Sequence, residues 1–254
     1  MSARVLALLL HDDTGLTRRN VAVEHLVVAG WTGRDRAAVE KHIAELAAIG
    51  VKPPATTPIF YRASAARLTI AEEIEALGDA SSGEAEFVLL QHGGRLWVGA
   101  GSDHTDREVE FVLLAHAGRL WVGAGSDHTD REVEKYGVTV SKQMCEKPIA
   151  PTFWPYEDVA GHWDRLILRS HVIERGKRVL YQEGAVTAML QPQALIERHA
   201  TGGRLADGTL MFCGTLAAHG GVRPTREFSF ELEDPVQGRK IAHSYQVRTL
   251  PILG

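Results

Sequence analysis

The sequence predicts an α+β chain that is mainly β, on three observations. Short runs rich in branched and aromatic residues, bounded by Gly and Asp turns, recur along most of its 254 residues. Only a few stretches space their apolar residues helically, and no regular alternation of strand and helix marks a doubly wound sheet. Finally, a 24-residue block stands twice in succession, FVLLQHGGRLWVGAGSDHTDREVE over 87–110 and FVLLAHAGRLWVGAGSDHTDREVE over 111–134.

Taken in order, residues 4–10 and 21–29 read as strands around the loop HDDTGLTRRN. RAAVEKHIAELAAIG then has helical spacing and stops at Gly50, closing an N-terminal strand and helix segment over residues 1–50. IFYRASA reads as a strand, and LTIAEEIEALG as a second helix ending at Gly78. After the repeat come VTVSKQ, the proline-rich and aromatic PIAPTFWPYEDVAGHW, strands at DRLILRSHVIE and KRVLYQEG, and a helix near PQALIERH. The last fifty residues read as strands and turns, and no linker separates a second domain, so residues 1–254 are expected to form one.

Two copies differing only at Gln91/Ala115 and Gly93/Ala117 indicate a recent duplication or an assembly error; a solenoid needs three or more repeats. In each copy FVLL and RLWVGAG flank a short Gly-containing connection, which reads as a hairpin. Acids one residue apart on a strand share a face. Folding the first copy about Gly93 and Gly94 therefore sets Glu84 and Glu86 opposite Asp103, and folding the second sets Glu108 and Glu110 opposite Asp127. Three hard oxygen ligands suit Mg²⁺ or Mn²⁺. The bland alternative for E-x-E alone is the solvated edge of a strand. The second set, Glu108, Glu110 and Asp127, is favoured because Arg131 and Lys142 follow it without interruption; Glu84 and Glu86 can also combine with Asp127 around an excursion. His104 and His128 neighbour the aspartates and should face the opposite side.

Composition excludes more than it identifies. A net charge of −4 gives no basic footprint for nucleic acid, and Cys145 and Cys213 are too few for a disulfide framework, which fits a cytoplasmic location. The opening RVLALLL is too short to span a membrane. Trp97 and Trp121 are expected to pack within the hairpins, and GAGSDH lacks the Lys-Ser/Thr ending of a phosphate loop.

In their order, the motifs resemble those of the fumarylacetoacetate hydrolase superfamily, and more closely an uncharacterised bacterial branch of it. His42-Ile43-Ala44-Glu45 matches the family's H-x-x-E, and Phe60-Tyr61-Arg62-Ala63-Ser64 is similar to F-x-K-P-x-S. The E-x-E pairs, Ser126-Asp127-His128-Thr129-Asp130-Arg131-Glu132, Lys142, Gln182 with Gly184 and Met189, and Gly214-Thr215 follow in the family's sequence. Arginine at 62, Thr209 in place of an aspartate, and Glu134 where relatives carry glutamine depart from it. The resemblance implies a mixed β-barrel or roll with a few flanking helices, a homodimer, and a divalent cation that stabilises an enolate.

On that resemblance His42, Glu45 and Lys142 are the expected catalytic residues, with Arg62, Arg131, Gln182 and Thr215 binding substrate. Glu45 lies one turn from His42 and can orient its imidazole while the histidine moves a proton. An exposed helix histidine is the plain alternative for His42, and surface ion pairing for the basic residues. The expected function is metal-dependent cleavage of a carbon-carbon bond in a small 2-oxo or β-diketo acid. Isomerase, hydratase or decarboxylase chemistry on a similar acid is the runner-up, and a catalytically silent binding or assembly protein the alternative of another class.

Overall fold

The computed structural model describes residues 3–12, 15–47, 53–77, 81–103, 109–116, 119–126 and 145–250, with the backbone alone over 109–126. The chain opens with an antiparallel hairpin of β1 (Arg4–Asp12) and β2 (Gly15–Val23), so most of the expected loop at 11–20 is strand. β3 (His25–Gly30) leads to helix α1 (Arg36–Ala47), then β4 (Ile59–Ala63), β5 (Leu68–Thr69) and β6 (Glu73–Leu77).

The helix expected over LTIAEEIEALG is absent and β6 takes its place, paired in parallel with a C-terminal strand. The reason is visible in the burial. Ile74 and Ala76 are 1% and 3% exposed while Glu73 and Glu75 face solvent, a two-residue alternation that fits a half-buried strand. Tertiary pairing overrides the helical propensity of the intervening glutamates.

The first repeat copy forms β7 (Ala85–His92) and β8 (Arg95–Ser102), and the second forms β9 (Val109–His116) and β10 (Arg119–Ser126). Gly93 and Gly94 turn the first hairpin with φ of 60° and 77°, the two positive values that a type I′ turn requires. Among the described residues, β11 (Lys147–Pro148), β12 (Thr152–Pro155), helix α2 (Tyr156–Ala160), β13 (Ile167–Glu174), β14 (Lys177–Ala185), helix α3 (Pro192–His199), β15 (Thr209–Thr215), β16 (Glu227–Asp234) and β17 (Arg239–Leu250) follow.

An eight-stranded sheet runs β2-β1-β12-β8-β7-β15-β3-β4 and a five-stranded sheet runs β14-β13-β16-β17-β6. The larger sheet curls as a half-barrel, because Leu6, Leu8 and Val21 near one edge share a core with Tyr61 and Ala63 at the other. Its outer face packs Phe87, Leu89, Val98 and Met211 against Phe228, Phe230 and Ile241 of the smaller sheet. β7 is therefore buried on both faces, and so reads as a continuous apolar run. Between the layers, Gln182 Oε1 accepts from Ala85 N and from Ser170 Oγ, while its Nε2 donates to Thr215 Oγ1 and to Leu216 O.

Candidate metal centre

Two carboxylates are buried at one end of the curled sheet. Glu86 is 2% exposed and Asp103 is 0% exposed, and the half-buried Glu84 lies beside them. The β7–β8 register brings these residues to one end, with Glu86 opposite Gly101 and Asp103 N donating to Glu84 O at 2.9 Å. Glu86 follows the even-numbered pattern of β7, whose Val88 and Leu90 belong to the inner core. Its Oε2 accepts from Gly214 N at 2.7 Å. Gly214 sits at φ 98°, and a Cβ there would overlap Thr32 Oγ1, so no other residue fits this cradle.

Asp103 faces a buried base that the sequence reading missed. β11 runs beside the end of β8, with Gly101 bridged to Ile149, so Lys147 falls opposite Asp103. Lys147 Nζ lies 3.0 Å from Asp103 Oδ1, both side chains 0% exposed. A lysine inside the otherwise apolar run KPIAPTFW was the available signal, because lysine is almost never fully buried without a partner. Among the described residues no three His, Cys, Asp or Glu side chains gather closely enough to hold a metal ion. The expected convergence of three carboxylates gives way here to Glu86 turned toward Gly214 and Asp103 lying against Lys147.

Flanking residues explain why the first copy lies in the sheet. A Cβ on Gly83 would meet Tyr245 Oη at 2.6 Å, Ser102 Oγ at 2.7 Å and Phe228 Cδ1 at 2.9 Å. The second copy carries Arg107 at the equivalent position, Asp106 in place of the buried Ser82, and Val109 in place of the buried Ala85. Its approach to that position is blocked by bulk and charge. β9 and β10 pair with each other as a separate two-stranded sheet. Glu108, Asp127, Arg131 and Lys142 lie outside the described residues, as do the side chains of Glu110 and Glu45.

His42 lies on the exposed face of α1, its ring 5.6 Å from that of Trp31. Trp31 holds φ 59°, a backbone conformation that is costly for a bulky residue. The next residue, Thr32, packs on Gly214 and accepts at its carbonyl from Leu190 N at 2.7 Å. A continuous path therefore links α1 to the Glu86 carboxylate through Trp31, Thr32 and Gly214.

The remaining expected residues separate from this end. Gln182 and Thr215 meet each other, but on the outer side of β7, where both ends of the Gln182 amide are taken by protein groups. Arg62 donates to Glu24 O at 2.8 Å and Leu26 O at 3.0 Å. Leu26 aligns through Leu210 with Leu90, four residues along β7 from Glu86. That separation is roughly 13 Å at the rise of a strand.

Surrounding groups are held neutral by burial. Burial, with the nearby Glu86 charge, pushes the Cys213 thiol well up. Burial likewise raises the Tyr245 phenol far above its ordinary value, although Ser102 opposes it. An open groove of about 1000 Å³ lies elsewhere, along the five-stranded sheet, with His171, Arg178, Ser229, Glu231 and His243 in its lining. Its mixed charges offer no comparable convergence of hard donors. No helix among the described residues is long and apolar enough to cross a membrane.

Comparison with solved structures places the chain among similar folds. It resembles Cg1458 with inhibitor at 14% identity, over 93% of this chain and 81% of that one, with a TM-score of 0.58. It also resembles 2-keto-3-deoxyarabinonate dehydratase at 13% identity, over 95% and 79%, with a TM-score of 0.59. A third similar structure is 2-keto-3-deoxy-D-arabinonate dehydratase complexed with magnesium and 2,5-dioxopentanoate, at 12% identity over 95% and 79%, with a TM-score of 0.57. At such identities the likeness is one of fold. No curated protein matches the sequence. A family model matches in two stretches, residues 29–112 and 108–245, that meet at the junction between the repeat copies, and the chain belongs to that family, described as protein of unknown function (DUF2848).

Proposed function

We propose that the protein is a divalent-metal-dependent enzyme acting on a small 2-oxo acid, with the roll and homodimeric assembly implied by its resemblance to the fumarylacetoacetate hydrolase superfamily. The observation that carries this reading is the burial of Glu86 and Asp103 at one end of the central hairpin, beside Glu84 and Lys147. Burying carboxylates is costly unless a cation or hydrogen bonds compensate. The donors at this end are all oxygen, the kind that Mg²⁺ and Mn²⁺ prefer, and Glu84, Glu86 and Asp103 would be the holding residues once Glu86 turned from Gly214 and Asp103 from Lys147.

A bound cation would supply positive charge against the negative charge that develops beside a 2-oxo group when an adjacent bond breaks. The chain's own residues divide the remaining work. Gly214 N–H fixes one Glu86 oxygen and thereby aims the other. Lys147 holds Asp103 from its buried side. His42, carried by α1 with its ring beside that of Trp31, would move the proton, with Glu45 one turn away on the same helix. Phe153, Phe212 and Ile149 pack the inner side with apolar bulk.

Two reactions suit this arrangement. Carbon-carbon bond cleavage in a 2-oxo or β-diketo acid is the reading from the motif order. Removal or addition of water on a similar acid is the second, favoured by the fold likeness to a dehydratase that carries magnesium and 2,5-dioxopentanoate. Both need the same charge stabilisation, and differ in the bond that breaks.

Calorimetric titration with Mg²⁺ and Mn²⁺, with and without oxalate, tests the reading. One saturable cation site per chain, and oxalate binding that requires the cation, are expected. Well-folded protein that takes up neither cation contradicts it and favours a non-catalytic role.

A further inference from the structure

Strands β8 and β10 have one sequence, RLWVGAGS, and both continue as Asp-His-Thr-Asp-Arg-Glu-Val-Glu. The position that β8 occupies is demanding. A Cβ on Gly99 would come within 2.6 Å of the Phe153 ring, and one on Gly101 within 2.7 Å of the Phe212 ring. Ser102 Oγ meets Tyr245 Oη at 2.9 Å, and Trp97 Nε1 donates to His92 O at 3.2 Å. At the same offsets β10 offers Gly123, Gly125, Ser126 and Trp121. Nothing in the slot distinguishes the two strands.

The same is not true of the first strand. Gly83 and Ala85 fit where Arg107 and Val109 do not, so β7 is committed to its place. We propose that β10 can replace β8 as the antiparallel partner of β7, giving a second folded form of the same sheet. In the exchange, residues 93–118 become an excursion between the two paired strands, and the register of β7 is unchanged. Every buried side chain of the slot is replaced by its own kind, so no packing is lost. The balance is set by the connections. Loop-closure cost rises only with the logarithm of length, and the Gly93–Gly94 turn, already at positive φ, favours β8. The exchanged form is the minor one, and becomes the major one when β8 is blocked.

Blocking substitutions test this on the full chain. Gly99→Val with Gly101→Val drives side chains into Phe153 and Phe212 and bars β8 from the slot. Gly123→Val with Gly125→Val does the same to β10. The β8-blocked protein should keep a cooperative near-ultraviolet circular dichroism melt, the β10-blocked protein should match the parent, and the protein with all four substitutions should lose the transition. A β8-blocked protein as disrupted as the fourfold variant overturns the exchange.

Discussion

Two hairpins of nearly one sequence meet different fates in this molecule. The first lies at the centre of an eight-stranded sheet with Phe87, Val88, Leu89 and Leu90 fully buried, while the second pairs with itself as a two-stranded sheet. The strands themselves do not decide this, since only Gln91/Ala115 and Gly93/Ala117 differ. What decides is the approach to the first strand: Gly83 passes between Tyr245, Ser102 and Phe228, with Ser82 and Ala85 buried on either side, where Asp106, Arg107 and Val109 would not fit. A strand's place in a sheet is thus set by the residues that must thread past its neighbours as much as by its own hydrophobic pattern.

The comparison can be broken most severely at that approach. Gly83→Arg, which gives the first copy the second copy's lead, should cost about 4–5 kcal/mol and leave little folded protein in a urea melt. Equal stability would mean that the approach does not discriminate. The pair Phe87→Ala and Phe111→Ala comes next. Phe87 is 0% exposed and stands edge-on to Trp163 at 5.0 Å, so its truncation should cost about 3–5 kcal/mol. Phe111→Ala, in the hairpin that forms its own two-stranded sheet, should cost less in the same melt. Lys147→Met leaves the buried Asp103 carboxylate without that ion pair, for a loss of about 3 kcal/mol. A smaller effect is expected from Gly93→Ala, since a non-glycine residue at φ 60° costs about 1–2 kcal/mol; the second copy already carries Ala117 there.

Much of this contrast was legible in the sequence, and the parts that were not share a cause. The hairpin about Gly93 and Gly94 followed from the apolar runs and the turn residues, and the i, i+2 spacing of Glu84 and Glu86 gave their common side. Pattern alone favoured the second carboxylate set because Arg131 and Lys142 follow it; the steric demand at Gly83 comes from Tyr245 and Phe228, far along the chain. Lys147 escaped for the same reason, since its partnership with Asp103 depends on β11 lying beside β8. The strand at 73–77 was read as a helix because its glutamates suit one locally, and only pairing with β17 reveals the two-residue alternation. Gln182 and Thr215 were expected to bind substrate, and their hydrogen bond to each other ties them to the joint between sheets.

Acid should weaken the five-stranded sheet before it reaches the carboxylates. Burial lowers the pKa of His171, helped by the nearby Arg178 charge, and burial also lowers that of His243. Groups whose folded pKa is depressed below the unfolded value of about 6.5 contribute stability that is present above that value and lost as pH falls through the folded pKa. For Asp234, burial opposes the charge, but His162, Gln237 N and Arg239 prevail and lower its pKa, so its contribution is lost only at more acidic pH. Thermal midpoints should therefore decline below about pH 6.5 and fall further below about pH 4. A midpoint that rises between pH 7 and pH 5 would contradict these assignments.

The central claim is that the hairpin inside the sheet, and not its twin, supplies the glutamates of a cation site. Electron paramagnetic resonance of Mn²⁺ added to Glu86→Gln and to Glu110→Gln measures it directly. The account predicts that Glu86→Gln leaves Mn²⁺ free in solution while Glu110→Gln binds it as the parent does; binding retained by Glu86→Gln and lost by Glu110→Gln would contradict it.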